Sequence, residues 1–184
     1  MQPASRAALA TAGERLEERI SDTSAEDLQR LGTELGAASA ILVAQTVVRR
    51  HLTDSSVPAP ARRSMVEALF GSHVSRISLD TLGEVVALRW SRPRDLVDGL
   101  EELARQALLA LAEREGSLED VEDELFRFGR ILAAQPRLAT LLGDESAPVQ
   151  RRVALLDTVL ADRTRPVTRL LFEQAVRAPH RRHL

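Results

Sequence analysis

Residues 34–62 read ELGAASAILVAQTVVRRHLTDSSVPAPAR, and residues 124–152 read ELFRFGRILAAQPRLATLLGDESAPVQRR. The second stretch is the first again, without a gap, at an offset of 90 (124 − 34), and the match extends over 34–86 and 124–176. Identical pairs include Glu34/Glu124, Leu35/Leu125, Ile41/Ile131, Leu42/Leu132, Gln45/Gln135, Leu52/Leu142, Asp54/Asp144, Ser56/Ser146, Pro58/Pro148, Arg62/Arg152 and Val86/Val176. Where identity is lost the apolar character stays, as in Met65/Leu155, Leu69/Val159 and Leu82/Phe172. A fixed period of this size is the mark of a repeated structural unit. The expectation is two tandem domains, 1–90 and 91–184, related by internal duplication.

The spacing within each copy is helical. Aromatic residues make up 3% of the chain, Tyr is absent, and no useful stretch alternates apolar with polar residues, so strands are not expected. The first copy reads as helices over about 4–20, from a cap at Ser24 to about Val48, a short one ending near Leu52, then 59–70 and 75–89. The second reads as 93–114, 117–134, 136–142, 147–161 and 164–177. Ser24 with Asp27, and Ser117 with Asp120, fit a hydroxyl cap answered by a carboxylate three residues on. Pro136 stands where the first copy has Thr46, so the second long helix is expected to break there while the first runs on. The linker Trp90-Ser91-Arg92-Pro93 sets Trp90 at the seam, where it is expected to pack between the two bundles. The fold class is all-α, two tandem helical bundles.

Composition removes several classes of chemistry. Without cysteine there is no disulfide, thiolate zinc site or cysteine nucleophile. A net charge of −2 sets up no general field toward nucleic acid or an anionic membrane. The start, Met1-Gln2-Pro3-Ala4-Ser5-Arg6, lacks the apolar core of a secretory signal, and no stretch approaches the ~18 apolar residues of a membrane span. The expectation is a soluble, cytoplasmic chain. All 25 basic residues are Arg. The pairs Arg49-Arg50, Arg62-Arg63, Arg151-Arg152 and Arg181-Arg182 are scattered, balanced by 27 acids and almost without aromatics to stack bases, which disfavours nucleic acid.

No catalytic constellation emerges. The nine Gly residues form neither a dinucleotide fingerprint nor a phosphate loop, and there is no Gly-x-Ser-x-Gly elbow. His180 and His183 have helical spacing but lie in a basic tail with no carboxylate beside them. The acidic run Glu113, Glu115, Glu119, Asp120, Glu122, Asp123 and Glu124 reads as a solvated helix face with favourable N-terminal charge. No catalytic residue, metal or cofactor is assigned. What remains is apolar helix surface: Ala4, Ala8 and Ala12 recur four apart and form a face that another helix can approach closely.

The order of these features resembles a known family. Ser5-Arg6-Ala7-Ala8-Leu9, the capped second helix leading to Ile41-Leu42, the turn Leu52-Thr53-Asp54, a Pro-x-x-x-Arg-Arg helix start and the closing Leu82-x-x-x-Val86 are similar to the N-terminal domain of the δ subunit of F-type ATP synthase, whose mitochondrial counterpart is the oligomycin-sensitivity-conferring protein. Asp95-Leu96-Val97-Asp98-Gly99-Leu100 and Leu118-Glu119-Asp120-Val121 onward resemble the longer, duplicated δ subunits of actinobacteria.

The resemblance implies a non-catalytic subunit of the peripheral stalk, the stator that stops the catalytic head from turning with the rotor, at the cytoplasmic face of the bacterial membrane. It implies that an N-terminal helix of a head α subunit binds in a groove between the first and fifth helices. The groove residues are then Ala8, Ala12, Leu79, Leu82 and Val86 in the first copy, and Leu96, Leu100, Leu103, Phe172 and Val176 in the second. Burying four large apolar side chains there would yield roughly 6–12 kcal/mol before ordering costs. A charge at Leu82 or Phe172 is therefore expected to weaken attachment without destroying the fold. The family's b subunit is held by a C-terminal α/β domain, which is expected to be missing from these 184 residues, so contact with the head is better supported than contact with b. The alternative is a generic helical adaptor that binds other partner helices.

Overall fold

The structure is a computed structural model that describes residues 1–161 and 163–178. Among these, all regular structure is helical: α1 (Pro3–Ile20), α2 (Ala25–Ala44), α3 (Thr46–Thr53), α4 (Ala59–Phe70), α5 (Arg76–Ala87), α6 (Pro93–Arg114), α7 (Leu118–Ala134), α8 (Pro136–Gly143), α9 (Val149–Leu160) and α10 (Pro166–Arg177). The chain is all-α. Every bound of α3, α4 and α5 recurs 90 residues later in α8, α9 and α10, α2 and α7 end 90 apart, and α1 and α6 begin 90 apart at Pro3 and Pro93.

Side-chain contacts recur at the same offset. Glu34 accepts from the Ser75 backbone N–H at 2.8 Å ahead of α5, and Glu124 accepts from the Arg165 N–H at 3.1 Å ahead of α10. A carboxylate there satisfies an orphan donor and favours the positive end of the helix. Asp54 Oδ1 accepts from the N–H and hydroxyl of Ser56 at 2.8 and 2.7 Å, and Asp144 Oδ1 from those of Ser146 at 2.9 and 2.6 Å.

The chain divides into two compact units, Met1–Ala110 and Leu111–Leu184. The boundary falls inside α6 and not at 90/91, because the first part of α6 completes the first unit. Leu96, Val97, Leu100, Leu103, Ala104 and Ala107 share one core with Ala8, Ala12 and Leu16 of α1, Leu31, Leu35 and Leu42 of α2, and Leu79, Leu82 and Val86 of α5. By the 90-residue offset the start of α6 corresponds to that of α1; by packing, this part of α6 is the sixth helix of the first unit.

Trp90 corrects the same expectation. It is buried in the first unit's core, its indole N–H donates to Val85 O at 2.9 Å, and its ring lies against Gly99 so closely that a Cβ there would stand 2.5 Å from Cη2. Beside it, Ser5 accepts from the Ser91 N–H at 2.8 Å and donates to buried Asp95 at 2.7 Å, which ties α1 to the start of α6.

The first long helix also stops sooner than expected. Both α2 and α7 end before a non-helical glutamine, Gln45 (φ −98°, ψ 73°) and Gln135 (φ −128°, ψ 72°). At α7 the cause is Pro136, which follows directly. At α2, Arg49 reaches back from α3 and donates to the Leu42 and Val43 carbonyls at 2.9 and 3.0 Å, so freed helix-end acceptors find a cationic donor. The result is a bend of 107° between α2 and α3. Ser24 caps α2 as expected, its hydroxyl accepting from the Asp27 N–H at 3.1 Å and donating to the Asp27 carboxylate at 2.9 Å. Ser117 does not cap α7. Its hydroxyl and N–H both turn back to Ala112 O, at 3.2 and 2.8 Å, while Gly116 sits at φ 65° and its N–H meets Glu113 O, closing α6 with a left-handed glycine turn.

The second unit's core contains Phe128 and Leu132 of α7, Leu142 of α8, Leu156 and Leu160 of α9, and Phe172 and Val176 of α10. The rings of Phe128 and Phe172 meet at 4.3 Å between centroids, tilted by 47°.

Candidate partner-binding site

The two helices expected to form the groove, α1 and α5, are neighbours in the first unit. Arg19 near the end of α1 donates to Thr81 Oγ1 and Glu84 Oε1 of α5, each at 2.6 Å, while Ser5 near the start of α1 meets Ser91 beyond the end of α5. The helices therefore run antiparallel, and the Arg19–Glu84 bridge crosses their seam with both side chains partly screened from solvent. Sequence reasoning missed this clamp; its signal was Arg19, seven residues after Ala12 and so on the same side of α1.

The ten expected groove residues lie deeper than a groove wall. Ala8, Ala12, Leu79, Leu82 and Val86 are brought together, but each is at most 6% exposed and all belong to the first core. Leu96, Leu100 and Leu103 belong to that same core, whereas Phe172 and Val176 belong to the second unit's core. The five residues assigned to a second groove thus sit in separate cores, since the apolar stripe of α6 is taken up by the first unit. The burial energy counted for these side chains is already realised within the fold. Leu82 is 1% exposed and Phe172 4%, so a charge at either would break a core and not merely alter a surface. Partly buried against the first core are Leu9 and Ile20 of α1, Ile77 of α5 and Leu88 just beyond it.

Polar clusters are engaged in holding the fold. Arg62 of α4 is buried and donates to Leu88 O at 3.1 Å and Ala87 O at 3.2 Å; Arg152 of α9 is buried and donates to Val176 O. Arg49 caps α2, as described above. A cleft of ≈ 440 Å³ on the second unit is lined by Asp120, Asp123, Glu124, Arg127, Arg163 and Arg165, but Arg165 pairs with Asp120, Arg127 pairs with Asp123, and Glu124 holds the start of α10. Among the described residues no group of three or more His, Asp or Glu could hold a metal ion. His180, His183 and the pair Arg181-Arg182 lie outside the described residues.

The Ser56 hydroxyl first, and its N–H second, hold the Asp54 carboxyl below the usual carboxylate range, and Ser146 does the same for Asp144. Asp54 is exposed and Asp144 half-buried, both at turns, so this chemistry fixes a turn. Among the described residues no single helix is long and apolar enough to cross a membrane; α2 and α3 reach that length only as a pair bent by 107°, and α2 buries Leu28, Leu31, Leu35 and Leu42 inside the protein.

These observations define an all-α helical-bundle protein whose apolar residues mainly build cores. Residues 104–181 match the family model of the ATP synthase delta (OSCP) subunit. The chain is 42% identical over 184 residues to an ATP synthase subunit delta of Acidothermus cellulolyticus, covering 99% of this chain and 67% of the relative. It is 43% identical over 180 residues to the subunit of that name from Frankia alni, covering 95% and 65%, and 40% identical over 184 residues to that from Streptomyces coelicolor, covering 100% and 67%. The chain belongs to the ATP synthase delta (OSCP) subunit family. It spans about two thirds of the length of these relatives.

Proposed function

We propose that this chain is a non-catalytic peripheral-stalk subunit of a proton-translocating F-type ATP synthase, a stator element that holds the catalytic head at the cytoplasmic face of the membrane. The observation that carries this reading is the match to ATP synthase delta subunits along the whole chain, at 42% identity over 184 residues. The packing suits the task, because close-packed helices resist deformation under torque where loops would not.

In this reading the partner is the N-terminal helix of a head α subunit, and its seat is the seam of α1 and α5 in the first unit. Ala8, Ala12, Leu79, Leu82 and Val86 form the floor under that seam, Leu9, Ile20, Ile77 and Leu88 offer contact, and the Arg19–Glu84 bridge fixes the separation of the helices. Contact with the b subunit is assigned to no residue of this chain. The same reading takes the 90-residue correspondence of helix bounds and hydrogen bonds as an internal duplication.

Sedimentation of the chain with the isolated catalytic head tests the reading. Co-sedimentation that Ile77→Glu weakens supports it. A folded chain that stays in the supernatant at micromolar concentration would leave the generic adaptor as the better account.

A further inference from the structure

Within the first unit, α1 is the helix with the least apolar hold. Its buried residues are Ser5, Ala8, Ala12 and Leu16, so a helix of 18 residues sets one large apolar side chain into the core. By contrast α2 buries Leu28, Leu31, Leu35 and Leu42, and α5 buries Leu79, Leu82, Val85 and Val86. Apolar burial stabilises in proportion to the area removed from water, so two alanines and a leucine hold a helix far less firmly than four large aliphatic side chains do.

The rest of the attachment is polar and sits at the two ends of α1. At its start, buried Ser5 donates to buried Asp95 at 2.7 Å and accepts from the Ser91 N–H at 2.8 Å. Near its finish, Arg19 donates to Thr81 and Glu84 of α5, each at 2.6 Å, and the Arg19 and Glu84 side chains are partly exposed, so water competes for that bridge. Between these ends α1 covers an unpaired acceptor. A Cβ on Gly13 would lie 3.8 Å from Gln106 Oε1 of α6, a buried oxygen that takes no hydrogen bond among the described residues. A buried carbonyl without a donor is costly, and lifting α1 returns it to water.

We infer that α1 is a strap: it swings away from the first unit about residues 21–24 while α2 to α5 and the start of α6 stay packed, and the Ser5 and Arg19 contacts are its two latches. The next helix does not need α1 to keep its own start, because the Ser24 hydroxyl accepts from the Asp27 N–H at 3.1 Å. Opening uncovers the part of the core that Ala8, Ala12 and Leu16 share with Leu82 and Val86. The latches, more than the core, then set how wide the α1–α5 seam stands. This motion belongs to the first unit alone and does not depend on head binding.

The chain has no cysteine, so a single introduced thiol reports its own exposure to a disulfide reagent. Ala12→Cys on α1 and Ala38→Cys on α2 replace buried alanines of the same core. In urea below the unfolding transition, Ala12→Cys should react at least about tenfold faster than Ala38→Cys, with a rate that barely changes with urea, because a local opening exposes little surface. The rate at Ala38→Cys should climb with urea as global unfolding does. Glu84→Ala, which frees one latch, should raise the rate at Ala12→Cys about threefold. Amide hydrogen exchange of the unsubstituted chain reads the same event without a thiol, and α1 should exchange ahead of α2 and α5. Equal thiol rates with the same urea dependence, α1 amides as protected as those of α5, or a rate at Ala12→Cys that Glu84→Ala leaves unchanged would each overturn the inference.

Discussion

Arg62 and Arg152 stand 90 residues apart and make the same contact: each buried guanidinium donates to carbonyls at the end of the last helix of its repeat, Ala87 and Leu88 for one and Val176 for the other. A helix end leaves its last carbonyls without partners, and a cation placed there satisfies both the hydrogen bond and the negative end of the dipole. The pair explains why an Arg follows the Pro58 and Pro148 turns at the same distance. These residues looked like parts of basic dipeptides in the sequence; in the fold they are bolts between helices.

Arg62→Ala and Arg152→Ala should each destabilise the protein by about 1–3 kcal/mol, because buried carbonyls lose their donors. Urea denaturation followed by circular dichroism checks this through the midpoint. Arg62→Lys should recover only part of the loss, since an ammonium cannot reproduce the fork that reaches two carbonyls at once.

Gly99→Ala should cost about 1–3 kcal/mol by overpacking, because the new methyl would sit 2.5 Å from Trp90 Cη2. Trp90 is the only tryptophan, so its emission reports the event directly. A red shift with loss of stability is expected, and an unchanged spectrum and midpoint would mean that the ring has room to move.

Ala161→Gly should raise stability by about 0.5–1 kcal/mol. Ala161 ends α9 in the left-handed region, at φ 43° and ψ 50°, while its N–H still bonds to Asp157 O at 3.0 Å. Glycine removes the Cβ strain of about 1–2 kcal/mol and returns part of it as unfolded-chain entropy. A thermal melt shifted upward is the expected readout.

Asp54 and Asp144 bind a proton less readily in the folded chain than the usual carboxyl value of 3.8. Their contribution to stability is therefore whole above that value and is lost as pH falls through the lower folded values. Carboxyl carbon shifts in NMR should titrate below the ordinary range for both residues. Ser56→Ala and Ser146→Ala should each move the matching midpoint back upward, which marks the serine hydroxyl as the main cause.

Much of the fold was legible because helix periodicity, prolines and the repeat all act locally. The start of α2 followed from Ser24 and Asp27, and the break after α7 from Pro136. What escaped was set by tertiary contact. Arg49 ends α2 by reaching back across a bend, which no propensity encodes, and Ser117 gave its hydroxyl to Ala112 because Gly116 had already turned the chain. The division at 110/111 could not be read from the offset of 90, since the offset says only which helix α6 corresponds to and packing says which core takes its leucines.

The two helices named from the sequence do pack together, but the depth of their apolar residues was not legible. Periodicity finds the apolar stripe of α1 and α5, but a stripe that meets its own core and one that meets a partner have the same spacing. The structure assigns Ala8, Leu82 and their neighbours to the first, with Leu9, Ile77 and Leu88 partly buried against that core. At the offset of 90, Phe126 stands against Gly36, and it is exposed where Gly36 is half-buried.

The most direct test of the stator reading is isothermal titration of the 184-residue chain with a synthetic peptide of the α-subunit N-terminus from the same organism. One-to-one binding with a dissociation constant of about 10 μM or tighter is predicted, weakened by Ile77→Glu and untouched by Phe126→Glu. A folded, helical chain that releases no heat and binds no peptide, or binding that Ile77→Glu leaves unchanged, would contradict it.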